Sequence, residues 1–167
     1  MELEIFSDSS FSDCQETSRS TGGYIFLLNK SPIAFRSFQQ KIVSLSSAES
    51  ELYSIVETVK HYQYIINILE ELQIIKINSP QIIYTDNLAA KAITTSEPGK
   101  IFDRSKHIKR KNHFIRDLVK QGEISIEYVA SSNNIADIFT KALGKSEFIK
   151  FREQMNIKNS IIISIVI

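Results

Sequence analysis

Cysteine is almost missing from this chain. Cys14 is the one such residue in 167, which excludes an intramolecular disulfide framework and any cysteine-rich zinc site and fits a reducing compartment. Proline and glycine are also scarce, at 3 and 5 residues, so collagen-like and low-complexity architectures are excluded, and no Pro- or Gly-rich linker marks a domain boundary. Long apolar runs are absent. Met1 to Ser10 lacks the apolar stretch of a secretory signal, and Ile161 to Ile167 is far too short to span a bilayer, so an intracellular protein with no membrane partner is expected. An excess of one charge is missing too: a net charge of +1 does not by itself announce a nucleic-acid binder.

The composition that remains, 43% hydrophobic and 23% charged, is that of a soluble globular protein, and the length suits one well-buried domain. Charge is uneven along the chain. Between Lys100 and Lys120 eight Lys or Arg residues stand against Asp103 and Asp117, with His107 and His113 interleaved, forming a local basic patch.

Periodicity and punctuation predict the elements. Leu3, Ile5 and Phe6 form a short apolar strand running into Ser7 and Asp8, and a polar loop from Ser9 to Thr21 ends at Gly22 and Gly23. Strands Tyr24 to Leu28 and Ile33 to Ser37 follow, joined by a turn at Asn29, Lys30, Ser31 and Pro32. Ser46 and Glu49 have the form of a capping box, and Leu52, Ile55, Val56, Val59, Tyr62, Ile66 and Leu69 recur at helical spacing, predicting an amphipathic helix over about Ser47 to Leu72. Gln81 to Thr85 reads as a buried strand, stopped by Asp86 and Asn87, which suit the cap of a helix over Leu88 to Thr94. After Pro98 and Gly99 a second long helix runs over about Ser105 to Lys120 and closes at Gly122. Ile124 to Tyr128 alternates as a strand, and Asn134 begins a last short helix ending at Gly144.

The order βββαβααβα argues for an α/β fold: a mixed five-stranded sheet, three antiparallel strands and then two parallel ones, flanked by helices. Connection handedness places strands four and five beside the first, parallel to it. Residues 1–144 are expected to form the domain, with 145–167 a C-terminal helix and an apolar tail. That tail, Ile161 to Ile167, has the high β-propensity and low charge of an aggregation-prone strand.

Four acidic residues carry the chemistry: Asp8 after the first strand, Glu51 in the first turns of the long helix, Asp86 after the fourth strand, and Asp137 at the start of the last helix. Singly, each has a structural explanation as a turn residue, a solvated helix residue or a carboxylate at a helix start. Active sites in such sheets gather at the carboxyl ends of adjacent parallel strands, and the topology brings these ends together under one helix. Carboxylates gathered there repel one another unless cations intervene, and Mg²⁺ prefers a few carboxylates with water and phosphate oxygens. Two such ions about 4 Å apart can activate a water and stabilise a leaving oxygen.

The stretches Phe6-Ser7-Asp8-Ser9, Arg19-Ser20-Thr21-Gly22-Gly23-Tyr24, Ser46-Ser47-Ala48-Glu49-Ser50-Glu51, Tyr84-Thr85-Asp86-Asn87, Lys106-His107-Ile108, His113-Phe114-Ile115-Arg116 and Ala136-Asp137-Ile138-Phe139-Thr140-Lys141, in this order over about Glu4 to Leu143, resemble the ribonuclease H domain of copia-type (Pseudoviridae) LTR retrotransposon Pol polyproteins. The resemblance implies a ribonuclease H-like fold and hydrolysis of the RNA strand of RNA/DNA hybrids during reverse transcription. It also implies a DEDD site holding two Mg²⁺, with Mn²⁺ able to substitute. Asp8 would bridge both ions, Glu51 and Asp86 would hold the second, and Asp137 would complete the first. Water would be the nucleophile, leaving 5′-phosphate and 3′-hydroxyl ends. Helical spacing barely separates Glu49 from Glu51; the capping box occupies Glu49, and Glu51 before Leu52 matches the family pattern, so Glu51 is chosen.

A hybrid is recognised largely through backbone geometry and 2′-hydroxyls, with cations drawing in the phosphates. Lys106, Lys109, Arg110, Lys111 and Arg116 are candidates for that role, against the alternative of a solvated helix face. His107 and His113 either fix local packing or touch a phosphate, and Ser9 and Asn87, beside Asp8 and Asp86, are candidate substrate contacts. The expected partners are the hybrid and a reverse transcriptase domain of the same polyprotein or a related element, in a cytoplasmic virus-like particle or the nucleus. Two departures stand out. Relatives usually carry a histidine before the last helix that assists product release, and Ala130 to Asn134 holds none, so turnover is expected to be slow or differently assisted. The reverse transcriptase is expected to be absent before Met1 and the tail does not fit the family, which keeps open a catalytically silent remnant acting as a nucleic-acid binding or assembly module. A cellular ribonuclease H shares the chemistry, but the segments around His107 and His113 argue against it.

Overall fold

The computed structural model describes residues 1–95 and 106–157, with the backbone alone at 93, 95 and 106–108. Five strands, β1 (Leu3–Ser10), β2 (Thr21–Leu28), β3 (Ser31–Gln39), β4 (Gln81–Thr85) and β5 (Ile124–Tyr128), form one sheet in the order β3-β2-β1-β4-β5. The first three pair antiparallel, whereas β4 lies parallel to β1 and β5 parallel to β4. The predicted mixed sheet is therefore present, and β5 reaches β1 only through β4.

The strands at the start are longer than the apolar residues alone indicate. Asp8, Ser9 and Ser10 continue β1 opposite Gly23, Gly22 and Thr21, so the two glycines lie inside β2 rather than at a loop end. Leu28 pairs with Ser31, which leaves Asn29 and Lys30 as a two-residue hairpin turn. Both have positive φ, 48° and 63°, the geometry that matches the twist of the flanking strands.

Four helices, α1 (Ser47–Glu71), α2 (Leu88–Thr95), α3 (Lys106–Lys120) and α4 (Lys145–Gln154), complete the fold with two short 3₁₀ turns, Ser131–Asn133 and Ile135–Phe139. The alternation of side chains along each strand sends them to two cores. On one face Leu3, Ile5, Tyr24, Phe26, Ile83, Ile124 and Ile126 meet the apolar stripe of α1 and Ile115 and Leu118 of α3. On the other face Phe6, Ile25 and Leu27 meet Ile135 and Ala136 and, from α4 and just beyond it, Phe151 and Met155. Every one of the seven apolar positions predicted for α1 is buried.

The helix expected from Asn134 to Gly144 is replaced by the 3₁₀ turn Ile135–Phe139, and α4 starts only at Lys145. Tertiary bonds account for the difference. The Asn134 side-chain amide donates to the Ser7 carbonyl (3.1 Å) while its oxygen accepts from the Ala136 amide (3.3 Å), and the Thr140 hydroxyl donates to Asp8. The bonds from Asn134 to Ser7 and from Thr140 to Asp8 anchor both ends of the segment to β1. The tail Ile161 to Ile167 and the loop at Pro98 and Gly99 lie outside the described residues. No helix among the described residues is long and apolar enough to cross a membrane.

Candidate active site

Strand register brings the first two carboxylates together. Ile5 pairs with Ile83 and Phe6 with Tyr84, and the same parallel register carried two residues further sets Asp8 level with Asp86, just past the end of β4. Helix α1 crosses the sheet here, its amino end fixed by the capping box. The Ser46 hydroxyl accepts from the Glu49 amide (3.2 Å), and Glu49 accepts from the Leu45 amide (2.9 Å). Glu49 is thus spent at the helix start, while Glu51, on the buried side of the first turns, reaches the strand ends. Asp8, Glu51 and Asp86 each offer an oxygen within 4.8 Å of the others.

Neutral donors hold Glu51. The Ser9 amide and hydroxyl both donate to Glu51 Oε1 at 3.0 Å, and the Thr85 hydroxyl lies 3.4 Å from Oε2. Behind them the Ser50 hydroxyl donates to Ser9 Oγ (2.8 Å), and the buried Gln40 amide donates to the Ser50 carbonyl (2.9 Å). Asp86 accepts from the Ser131 hydroxyl. Asp137 projects from the 3₁₀ turn Ile135–Phe139 to the Asp8 side of the site, where Lys141 Nζ lies 3.0 Å from Asp137 Oδ2 and 3.7 Å from Asp8 Oδ2.

The electrostatics fit a cation. Asp8, Glu51 and Asp137 are 1%, 4% and 3% exposed. Burial and, next, the charges of Asp8 and Asp86 push Glu51 well above the usual carboxylate range. Burial raises Asp8 as well, against the opposing Thr140 hydrogen bond. Burial and then the Asp8 charge raise Asp137 to about 7 despite Lys141. Asp8, Glu51 and Asp86 form an oxygen donor set suited to a hard divalent ion, and Asp137 stands beside it, linked to Asp8 through Lys141, with its Oδ1 buried and lacking a hydrogen-bond partner.

The remaining predicted residues are spread around this centre. The Ser9 hydroxyl is committed to Glu51 and Ser50, and Asn87 Oδ1 accepts from the Ala90 amide (2.9 Å), capping α2 as its sequence position indicates. Lys109 and Arg110 are exposed on α3, as is His113. The side chains of Lys106 and His107 lie outside the described residues. Lys111 does not face solvent freely: its ammonium sits 3.6 Å from the centre of the Tyr53 ring. Arg116 is buried, at 7% exposure.

Sequence reasoning missed Thr140, Lys141, Ser131 and Gln40. For Lys141 a signal existed, because it stands four residues after Asp137 and a single turn brings such a pair together. Gln40 follows β3 and Ser131 opens a 3₁₀ turn, and their approach to the site depends on the whole sheet.

No family model matches the chain. The chain is 32% identical over 94% of its length to the retrovirus-related Pol polyprotein from transposon RE1 of Arabidopsis thaliana, and 27% identical over 87% to that from transposon TNT 1-94 of Nicotiana tabacum. It spans about a tenth of these relatives, 10% and 11% of their lengths. Among solved structures, LC11-RNase H1 in complex with an RNA/DNA hybrid superposes with a TM-score of 0.59 at 10% identity, covering 83% of this chain and 94% of that one. By sequence the chain is homologous to one segment of copia-type retrotransposon Pol polyproteins, and by architecture it has the ribonuclease H fold.

Proposed function

We propose that the chain is a ribonuclease H that hydrolyses the RNA strand of RNA/DNA hybrids during retrotransposon reverse transcription, using two divalent ions, Mg²⁺ with Mn²⁺ as a substitute. The observation that carries this reading is the convergence of Asp8, Glu51 and Asp86 at the carboxyl ends of two adjacent parallel strands. Asp8, Glu51, Asp86 and Asp137 would hold the metal. Bound divalent ions supply Lewis-acid stabilisation of the charge that develops on the phosphate and lower the pKa of water. The protein's own groups set the stage for that chemistry. Ser9 and Thr85 fix the Glu51 carboxylate, and Ser131 fixes Asp86.

Lys109 and Arg110, with Lys106 and His107, would draw in the hybrid's phosphates, and Ser9 and Asn87 would border its minor groove. A reverse transcriptase domain, of the same polyprotein or a related element, makes the hybrid, and the two would act together in a cytoplasmic virus-like particle or the nucleus. The test is a cleavage assay with Mg²⁺ on RNA/DNA hybrid, single-stranded RNA and duplex RNA. Cutting confined to the hybrid and abolished by Asp8→Asn or Asp86→Asn, with the fold intact by circular dichroism, is expected. Cleavage surviving both substitutions rejects this site.

A further inference from the structure

The two ends of the carboxylate cluster are balanced differently. Glu51 and Asp86 are held by neutral hydroxyl and amide donors from Ser9, Thr85 and Ser131. Asp8 and Asp137 instead share a cation from the chain itself, the Lys141 ammonium, 3.0 Å from Asp137 and 3.7 Å from Asp8. The adjacent Thr140 hydroxyl donates to the same Asp8 oxygen that faces Lys141, so consecutive residues hold both acids.

We propose that Lys141 is a tethered counter-cation that holds Asp8 and Asp137 in the metal-free protein and competes with a divalent ion for that pair. The inference rests on the reading of Asp8 and Asp137 as metal ligands. Three features support it. The side chains of Asp8 and Asp137 are only 1% and 5% exposed, so the anions are fixed, while that of Lys141 is 39% exposed and its flexible stem has a path into water. The ammonium leaves Asp137 Oδ1 without a partner, so its occupancy of the pair is incomplete. And it draws on Asp8 Oδ2 and Asp137 Oδ2, lone pairs that an oxygen-seeking ion would also require. A pair between exposed groups would contribute little; here both anions are buried, and only the ammonium, at 39% exposure, is partly screened by water. The Glu51 and Asp86 end, with no such competitor among the described residues, is then the end that loads first. Lys141 acts as a positioning residue, setting the order and affinity of loading.

The experiment uses the full chain with Lys141→Met and Lys141→Gln as two neutral variants, Lys141→Arg as the charge-retaining one, and Asp8→Asn as a control. Mn²⁺ binding is followed by calorimetric titration and folding by thermal melting in EDTA. The proposal expects the weaker Mn²⁺ step to tighten about tenfold in both neutral variants, at the low end of what a contacting opposite charge does to a carboxylate. It also expects both to melt lower in EDTA, and Lys141→Arg to behave as the parent does. Neutral variants that bind Mn²⁺ no more tightly than the parent overturn it, whatever their melting temperature. Parent and variants all failing to bind Mn²⁺ would instead overturn the metal-ligand reading, and the competition with it.

Discussion

Ser9 and Glu51, 42 residues apart in sequence, meet through two hydrogen bonds to one carboxylate oxygen, from the Ser9 amide and from its hydroxyl, each 3.0 Å long. This contact locks the first strand to the long helix at the point where the carboxylates gather. It aims Glu51 without supplying a compensating charge, so ionising the buried carboxylate stays costly.

Glu51→Gln should accordingly separate stability from function. A glutamine oxygen can still accept from Ser9, while the charge buried beside Asp8 and Asp86 is gone. In urea unfolding with EDTA the variant is expected to be more stable than the parent by about 1 kcal/mol, the scale of a substitution that relieves a strained site. Hybrid cleavage should fall to background. A variant less stable than the parent in EDTA would mean that the carboxylate is not electrostatically strained.

Gly23 lies directly opposite Asp8 in the β1–β2 pairing and beneath the Asp137 segment. A methyl added there would come within 2.8 Å of Phe139 Cβ and Thr140 Cγ2, contacts too close to survive without movement. Gly23→Ala should cost about 1–3 kcal/mol, as overpacking does, and weaken Mn²⁺ binding by displacing Thr140 and Asp137. Melting and Mn²⁺ titration on one preparation check both; a full loss of stability with unchanged metal affinity would contradict the coupling.

Lys111 gives stability a pH dependence away from the site. Burial lowers its pKa to about 8, against the pull of Glu49 and Glu57, whereas an unfolded lysine holds its proton to about pH 10.4. Between these values the unfolded chain binds more protons, so this group's contribution to stability rises as pH climbs through that window and is absent below it. Lys111→Met should remove the rise. Urea midpoints at two pH values, one on each side of the folded pKa, test this, and the same pH dependence in parent and variant would exclude Lys111 as its source.

Lys109 and Arg110 are exposed on α3, in the basic patch proposed to meet the hybrid. Replacing both with alanine should weaken hybrid binding and lower the slope of log K against log salt by about one for each phosphate that the protein no longer neutralises. An unchanged slope would remove both residues from the interface.

Much of this protein is legible in one dimension. The stripe from Leu52 to Leu69 determines α1 because a 3.6-residue repeat has one way to bury its apolar face, and Ser46 with Glu49 marks where that helix begins. Alternation and turn residues likewise locate the strands, and the order of elements selects the mixed sheet. Asp8, Glu51 and Asp86 stand out for the same local reason, each at an element end that the topology gathers.

Tertiary structure decided what depends on contacts between distant segments. Neither Asn134 nor Thr140 announces that its bonds to β1 will keep the Asp137 segment from becoming a regular helix. Nor does the sequence say that Glu51 is held by Ser9 while Asp8 and Asp137 are held by Lys141. Local periodicity carries the geometry of single elements; the balance of charge among buried groups is set only when strands, helix and turn are packed together and water has been removed from between them.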